Sequence, residues 1–230
     1  PLVHALVIDP VAWAFLRGLT GFCFAGLYMV IESWLNERAT NETRGSLFAA
    51  YLAVNLTSLT LGQLLLNLAS PASFTLFALC SILTSLALVP VSLTSSAQPA
   101  PIASTRIDMP ALYRLSPVGL AGSFIVGVAN APFWTLGPVL ARDRGLDIRG
   151  VSFFMTAAII GGALAQWPIG RLSDRTDRRH IILAIALGSA LGGLLLVGAH
   201  GAGSEIALLS AGFLFGAFAF SLYTVCVAHM

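Results

Sequence analysis

Apolar residues dominate seven stretches of the chain, near 11–34, 46–68, 73–93, 117–140, 151–170, 181–199 and 205–228, separated by segments richer in polar and turn-forming residues. Each stretch is near the roughly 20 residues an α-helix needs to cross a hydrocarbon core. None alternates polar and apolar residues strictly, so the period-two pattern of a membrane barrel is missing. Only helices and closed barrels pair all their backbone groups in lipid, and the pattern therefore predicts seven spanning helices. Most connections are short. The longest, Ser92 to Ser116, is rich in Pro, Ser and Ala, carries Arg106, Asp108 and Arg114, and predicts a flexible linker between two bundles, residues 1–91 and 117–230.

Polar positions inside the spans have a phase. In the first, Arg17, Gly21, Ala25, Tyr28 and Glu32 fall on one helical face. Arg17 and Glu32 lie about 22 Å apart along the axis, too far to neutralise one another. Arg17 enters its helix by about 9 Å, where a guanidinium costs at least a few kcal/mol unless it meets water, a headgroup or a counter-charge. An anion-binding or proton-tuning role and a snorkelling, structural role both fit it; its position favours function. Glu32, near the end of the span with Arg38 and Arg44 close in sequence, favours a structural role.

In the second span Tyr51, Asn55, Gln63 and Asn67 share a face, and their amides must be paired or solvated, as cavity lining or as interhelical bonds. The fourth span contains Asn130-Ala-Pro-Phe-Trp134 and then Gly137-Pro138; a mid-helix proline frees a carbonyl, which predicts a kink or local unwinding with Asn130 and Trp134 on one face. These two residues are candidate solute contacts or ordinary packing. Tyr223 in the seventh span is a weaker candidate, and Trp167 reads as an interface anchor. The third and sixth spans carry no amide or charge in their apolar interiors, which predicts supporting, lipid-facing helices around a polar centre formed by the others.

Composition agrees with a membrane protein: 57% of residues are hydrophobic and 10% charged, mean hydropathy is +0.87, and a soluble domain carries about 25% charged residues. All twelve basic residues are arginine, and the absence of lysine excludes a retinal-type pigment, which needs one for its Schiff base. A net charge of +2 with no basic stripe gives no reason to expect nucleic acid. Cys23, Cys80 and Cys226 sit singly in apolar runs, so free thiols are expected and metal or cofactor roles are not. His4, His180, His200 and His229 are scattered, and no nucleophile and base are placed together, so no enzyme is expected.

Alternating the loops puts eight arginines, at 38, 44, 106, 114, 171, 175, 178 and 179, on one side and three, at 142, 144 and 149, on the other. Arginine-rich short loops stay cytoplasmic, which places the linker inside and starts the first span outside. The chain opens on Pro1 without a signal-like leader and stops at Met230 straight after an apolar run, so it is expected to be truncated at both ends. Gly21-Phe-Cys-Phe-Ala-Gly26 and Gly212-Phe-Leu-Phe-Gly-Ala217, six spans apart, share three residues in six, a faint echo of parallel repeats.

The most specific segment is Gly170-Arg-Leu-Ser-Asp-Arg-Thr-Asp-Arg-Arg179. It resembles the loop signature of the major facilitator superfamily: glycine, three variable residues, aspartate, a basic residue, one variable residue, glycine and two basic residues. Gly170, Asp174, Arg175, Arg178 and Arg179 match, while Asp177 stands where the turn glycine is usual. The resemblance implies a cytoplasmic latch in which Asp174 faces a helix N-terminus of the opposite bundle, by pseudo-symmetry near Gly45 and Ser46. Arg17-Gly-Leu-Thr-Gly21 is similar to the superfamily's fourth-helix motif, whose arginine is associated with proton coupling in several members. Residues Glu32 to Gly45, and Gly161-Gly-Ala-Leu-Ala-Gln-Trp-Pro168, resemble the YcaD-like bacterial branch. The Gly-Pro pair common in the fifth helix of drug–proton antiporters is absent from the second span, which has Gly62 alone.

The resemblance places the seven spans as helices four to ten of twelve. The implied fold is an all-α, polytopic membrane helical bundle, with residues 1–91 the C-terminal part of the N-terminal bundle, 92–116 a cytoplasmic linker and 117–230 the N-terminal part of the C-terminal bundle. The expected function is secondary active transport of a small solute across the bacterial inner membrane by alternating access. Arg17, Tyr28, Tyr51, Asn55, Gln63, Asn130, Trp134 and Tyr223 are the expected cavity residues. Protons are the candidate coupling ion, the lipid bilayer is the surrounding partner, and a monomer is favoured. A non-transporting sensor or receptor on the same fold is the alternative.

Overall fold

The computed structural model describes residues 2–40, 43–93, 110, 113–114, 116–173, 175–198 and 205–228. Their helices are α1 (Leu2–Leu6), α2 (Pro10–Arg38), α3 (Arg44–Leu65), α4 (Phe74–Leu93), α5 (Pro117–Asp143), α6 (Ile148–Ser173), α7 (Arg178–Gly198) and α8 (Glu205–Ala228). Every apolar stretch is thus a helix, and α1 is a short addition that its sequence did not announce. Among the described residues six helices, α2 and α4 to α8, are long and apolar enough to cross a membrane, and α3 contributes the shorter apolar segment Ala50–Leu65. The chain groups into two units: residues 1–54 with 68–105, and residues 55–67 with 106–230.

In the first unit α2 starts where local chemistry dictates. Asp9 caps it, accepting a bond from the Ala12 amide at 2.8 Å, and Pro10 supplies a pre-set φ at the first turn. The Trp13 indole donates to the carbonyls of Val7 at 2.7 Å and His4 at 3.0 Å, closing the short link from α1. Its ring meets Phe77 edge-on, where α1 packs on α4. Neither α2 nor α4 has a buried residue in this unit.

The second unit is built around α8, which packs against α5, α6 and α7. A helix surrounded on several sides must be apolar nearly all round, and α8 is. Gly212 and Gly216 allow α6 to approach closely. A Cβ on Gly216 would overlap the Ala158 carbonyl, one on Gly161 the Phe213 carbonyl, and one on Gly212 would lie 2.7 Å from the Phe154 ring. This is close packing through small residues, the means by which membrane helices associate without a hydrophobic drive. Phe133, Phe154, Met155, Ala158, Leu208 and Ala211 fill the centre.

The helix α7 buries Ile181, Ile185, Gly192 and Leu196, one stripe of its surface, and leaves Leu183, Leu187, Leu191 and Leu194 exposed. That one-sided burial matches the bland composition of its interior. Of the kink or local unwinding expected of α5 at its prolines, the unwinding does not occur: α5 is a continuous helix from Pro117 to Asp143 with Pro132 and Pro138 inside it. Each proline removes one backbone bond, and buried Phe133 and Gly137 hold that stretch in the core despite the loss.

The α5–α6 turn is fixed by three local devices. Gly145 takes φ +86°, and the Leu146 amide returns to the Ala141 carbonyl at 3.1 Å, a Schellman-type stop. Asp147 then caps α6 by accepting from the Gly150 amide at 2.7 Å. Arg144 donates to the Val197 carbonyl at 3.2 Å, satisfying an orphan acceptor at the end of α7.

Candidate functional site

On α2, Arg17 and Tyr28 are exposed, and among the described residues no hydrogen bond or ion pair is formed by Arg17. Glu32, one turn beyond Tyr28, receives a bond from the Tyr51 hydroxyl of α3 at 3.3 Å. That contact gives Glu32 a hydrogen-bond partner on the neighbouring helix. It joins two of the polar stripes read from the sequence. Asn55, one turn on from Tyr51, is half-buried.

The far end of the α3 stripe has a different environment. Ser152, fully buried on the first turns of α6, donates its hydroxyl to the Gln63 carbonyl at 2.7 Å and accepts from the Asn67 amide at 3.1 Å. Asn67 donates also to the Leu64 carbonyl at 3.1 Å, which closes the α3 end. Gln63 contributes its backbone to this contact, and its side chain is half-buried. Ser152 went unnoticed in the sequence because a single hydroxyl in an apolar run carries no positional signal.

Asn130 and Trp134 do share a face of α5, and both meet α8. The Asn130 amide donates to the Ala219 carbonyl at 3.3 Å, and Trp134 stacks on Phe220 with centroids 5.0 Å apart and planes 9° apart. Trp134 keeps 36% of its surface exposed and Tyr223 53%. Asn130 therefore serves an interhelical bond here, while Trp134 and Tyr223 present accessible surface.

In the α6–α7 loop, Asp174 lies outside the described residues, as do most of residues 92–116. Gly170 is at the end of α6, Arg175 and Arg179 are exposed, and Arg178 is half-buried. Asp177 accepts from the Arg179 amide at 2.9 Å and sits 3.9 Å from the His180 imidazole. No non-glycine residue among those described has positive φ, so Asp177 starts α7 by side-chain capping and not by left-handed backbone. Arg171 lies over the Trp167 ring at 4.9 Å and Arg38 over Trp34 at 5.7 Å, each pair at the last turns of its helix. Among the described residues no group of three or more His, Cys, Asp or Glu side chains is placed to hold a metal.

The sequence profile of the Major Facilitator Superfamily matches residues 2–230. The chain belongs to the Major Facilitator Superfamily. It is similar to the proteins named Uncharacterized MFS-type transporter YcaD of Escherichia coli O45:K1 (strain S88 / ExPEC) and Escherichia coli O81 (strain ED1a), at 29% identity over 225 residues in each case. Those matches cover 97% of this chain and 57% of each relative, so the chain spans little more than half the length of the curated relatives it matches. No solved structure matches it significantly.

Membership in the superfamily, with its membrane-length helices, makes this a multi-pass membrane protein of all-α, YcaD-like type. The superfamily's loop pattern puts glycine where this chain has Asp177. The capping bond to Arg179 supplies by side chain the start of α7 that a glycine turn would supply by backbone.

Proposed function

We propose that the protein carrying this chain is a secondary transporter that moves a small solute across the bacterial cytoplasmic membrane by alternating access. The observation that carries the reading is the set of polar side chains on the apolar helices of a superfamily member: Arg17 and Tyr28 on α2, Tyr51, Asn55 and Gln63 on the shorter α3, and Asn130, Trp134 and Tyr223 on α5 and α8. Ionisable and amide groups at membrane depth are costly and are retained where they face protein or water. The curated relatives are named as transporters, which supports the same reading. Residues 1–91 and 117–230 act as the two moving bundles and 92–116 as their cytoplasmic linker.

Arg17 is the solute- or proton-controlling group in this scheme, and Gly170, Asp174, Arg175, Arg178 and Arg179 form the cytoplasmic latch. The test uses the protein expressed from its complete reading frame, reconstituted in proteoliposomes and loaded with a panel of small organic anions, sugars and amino acids. Arg17→Gln should lower the initial flux of the transported solute by about tenfold, equivalent to about 1.4 kcal/mol. An imposed pH gradient should change that flux in the parent and not in the variant. Flux that is the same in Arg17→Gln and indifferent to the gradient removes both roles from Arg17, and a protein that binds a solute without any flux is a sensor.

A further inference from the structure

The aromatic side chains of α5 and α8 are layered in an order that leaves one ring face open. Phe220 is the inner layer. A Cβ on Gly162 of α6 would lie 2.8 Å from its ring, and Phe133 and Phe215 meet it edge-on at 5.7 and 6.5 Å, so a glycine backbone and two rings fix its plane. Trp134 is the outer layer, stacked on Phe220 at 5.0 Å with planes 9° apart. Phe133 meets the indole edge-on, no further ring covers its second face among the described residues, and 36% of the residue is exposed.

The exposed surface of α5 has two sides. Val118, Ile125 and Leu136 form a bulky apolar flank suited to lipid, and Trp134, about two and a half turns beyond Ile125, points the opposite way. Its neighbours on that side, Gly127, Asn130 and Ala131, are small or polar. The Asn130 amide is used on the Ala219 carbonyl, but its carboxamide oxygen, the Trp134 indole N–H and the exposed Tyr223 hydroxyl, one turn beyond Phe220, form no hydrogen bond among the described residues. Hydrocarbon offers such groups no partner, so they mark a flank that meets protein, water or solute.

We infer that the solute carried by this protein is a planar aromatic acid, its ring laid on the open face of Trp134 as a third layer of the stack. This rests on the carrier reading and names the solute class of that site. Aromatic rings gain from stacking beyond the area they bury, so a flat ring is preferred to a saturated one of the same size. The indole N–H and the Tyr223 hydroxyl are donors, which suits an acceptor such as a carboxylate. Charge points the same way. The interiors of α5 to α8 contain no acidic residue, Asp143 and Glu205 standing at helix ends, and Arg17 on α2 is the cation to which the carrier reading gives solute or proton control. A cationic solute would lack a counter-charge on these four helices.

The test measures binding to the complete protein in lipid nanodiscs by equilibrium dialysis, with the uptake of empty nanodiscs subtracted. Benzoate and naphthoate are compared with cyclohexanecarboxylate and decalincarboxylate, which carry the same charge without the flat ring, and naphthyl trimethylammonium supplies the ring with a positive charge. At least one aromatic acid should bind about twofold to tenfold more tightly than its saturated counterpart. Trp134→Leu, which keeps apolar bulk and loses the plane, should abolish that preference, and Trp134→Phe should keep part of it. Should Trp134→Leu not reach the membrane, para-azidobenzoate photolysed on the parent protein should label the α5 peptide that contains Trp134, with naphthoate suppressing the label; labelling only elsewhere overturns the site. Equal affinity for flat and saturated acids, or a preference untouched by Trp134→Leu, overturns the inference, and tighter binding of the ammonium compound overturns the assignment to an acid. Transport of a ringless sugar or amino acid without binding of either aromatic acid leaves the carrier reading standing and sinks the aromatic platform. A ring preference that Trp134→Leu abolishes, in a protein without flux of any solute, keeps the platform and sinks the carrier reading.

Discussion

Asp177 shows how one side chain can replace a backbone device. In the superfamily pattern a glycine turns the chain into the next helix; here a carboxylate accepts from the Arg179 amide at 2.9 Å and caps α7. Asp177→Ala should therefore destabilise the protein by about 1 kcal/mol, and Asp177→Gly by a few tenths, since glycine is itself tolerated at a cap. Thermal unfolding in detergent reads the difference; equal losses for both variants would mean that the carboxylate does not act as a cap. The motif and its departure were legible in the sequence through its resemblance to the superfamily's loop pattern. Ser152 was not. Its importance comes from two bonds to residues 85 and 89 positions away, and nothing local marks it apart from Ser123 or Ser189. Asn130 falls between these cases: the sequence placed it on a face with Trp134, but the carbonyl it reaches, on Ala219, could be known only from the packing.

At the scale of helices, hydropathy located a helix at each of the seven stretches to within a few residues, although among the described residues six are long and apolar enough to span and α3 keeps only the shorter segment Ala50–Leu65. Boundaries were sharpened by caps the sequence also contains, such as Asp9-Pro10 and Ser116-Pro117. Packing was less legible. Of the adjacent glycines Gly192 and Gly193, a Cβ on the first would lie 2.8 Å from the Phe215 Cα, and one on the second would meet nothing within 4 Å. Periodicity shows a glycine's face but not its partner. The faint echo between Gly21–Gly26 and Gly212–Ala217 makes the same point: Gly212 and Gly216 lie against α6, whereas Gly21 and Gly26 have open surroundings in the described structure. Gly216→Ala forces a methyl into the Ala158 carbonyl and should lose a few kcal/mol or prevent folding, as overpacked cores do. Gly193→Ala should be neutral or stabilising by up to about 1 kcal/mol through helix propensity. Expression level and unfolding temperature of the two variants measure this, and similar losses would refute the close α6–α8 approach.

For the whole molecule, the arginine distribution makes a statement about sidedness that packing can support but not replace. Eight arginines fall in alternate loops and three in the others, and both tryptophan–arginine pairs, Trp34 with Arg38 and Trp167 with Arg171, sit in the last turns of their helices, next to loops that the alternation counts with the eight. A guanidinium over an indole places the aromatic ring at headgroup depth while the charge stays wet, the arrangement expected at a membrane boundary. The α6–α7 loop should then face the cytoplasm. A cysteine at Thr176, which is exposed, should react with a membrane-impermeant maleimide in inside-out vesicles and not in right-side-out ones, with Arg142→Cys showing the reverse. The same reporter tests the proposed latch. If Asp174 holds the cytoplasmic end closed, Asp174→Asn removes a carboxylate from a helix N-terminus, a stabilisation of about 0.3–1 kcal/mol and up to about 2 where partly buried. That shifts a balanced two-state equilibrium by about twofold to fivefold, and by up to about thirtyfold at the upper value. Labelling of Thr176→Cys should therefore speed up from the cytoplasmic side alone in the Asp174→Asn background. A rate that stays the same, in a protein that remains folded, would show that the loop signature here serves helix start and charge placement without latching the transport cycle.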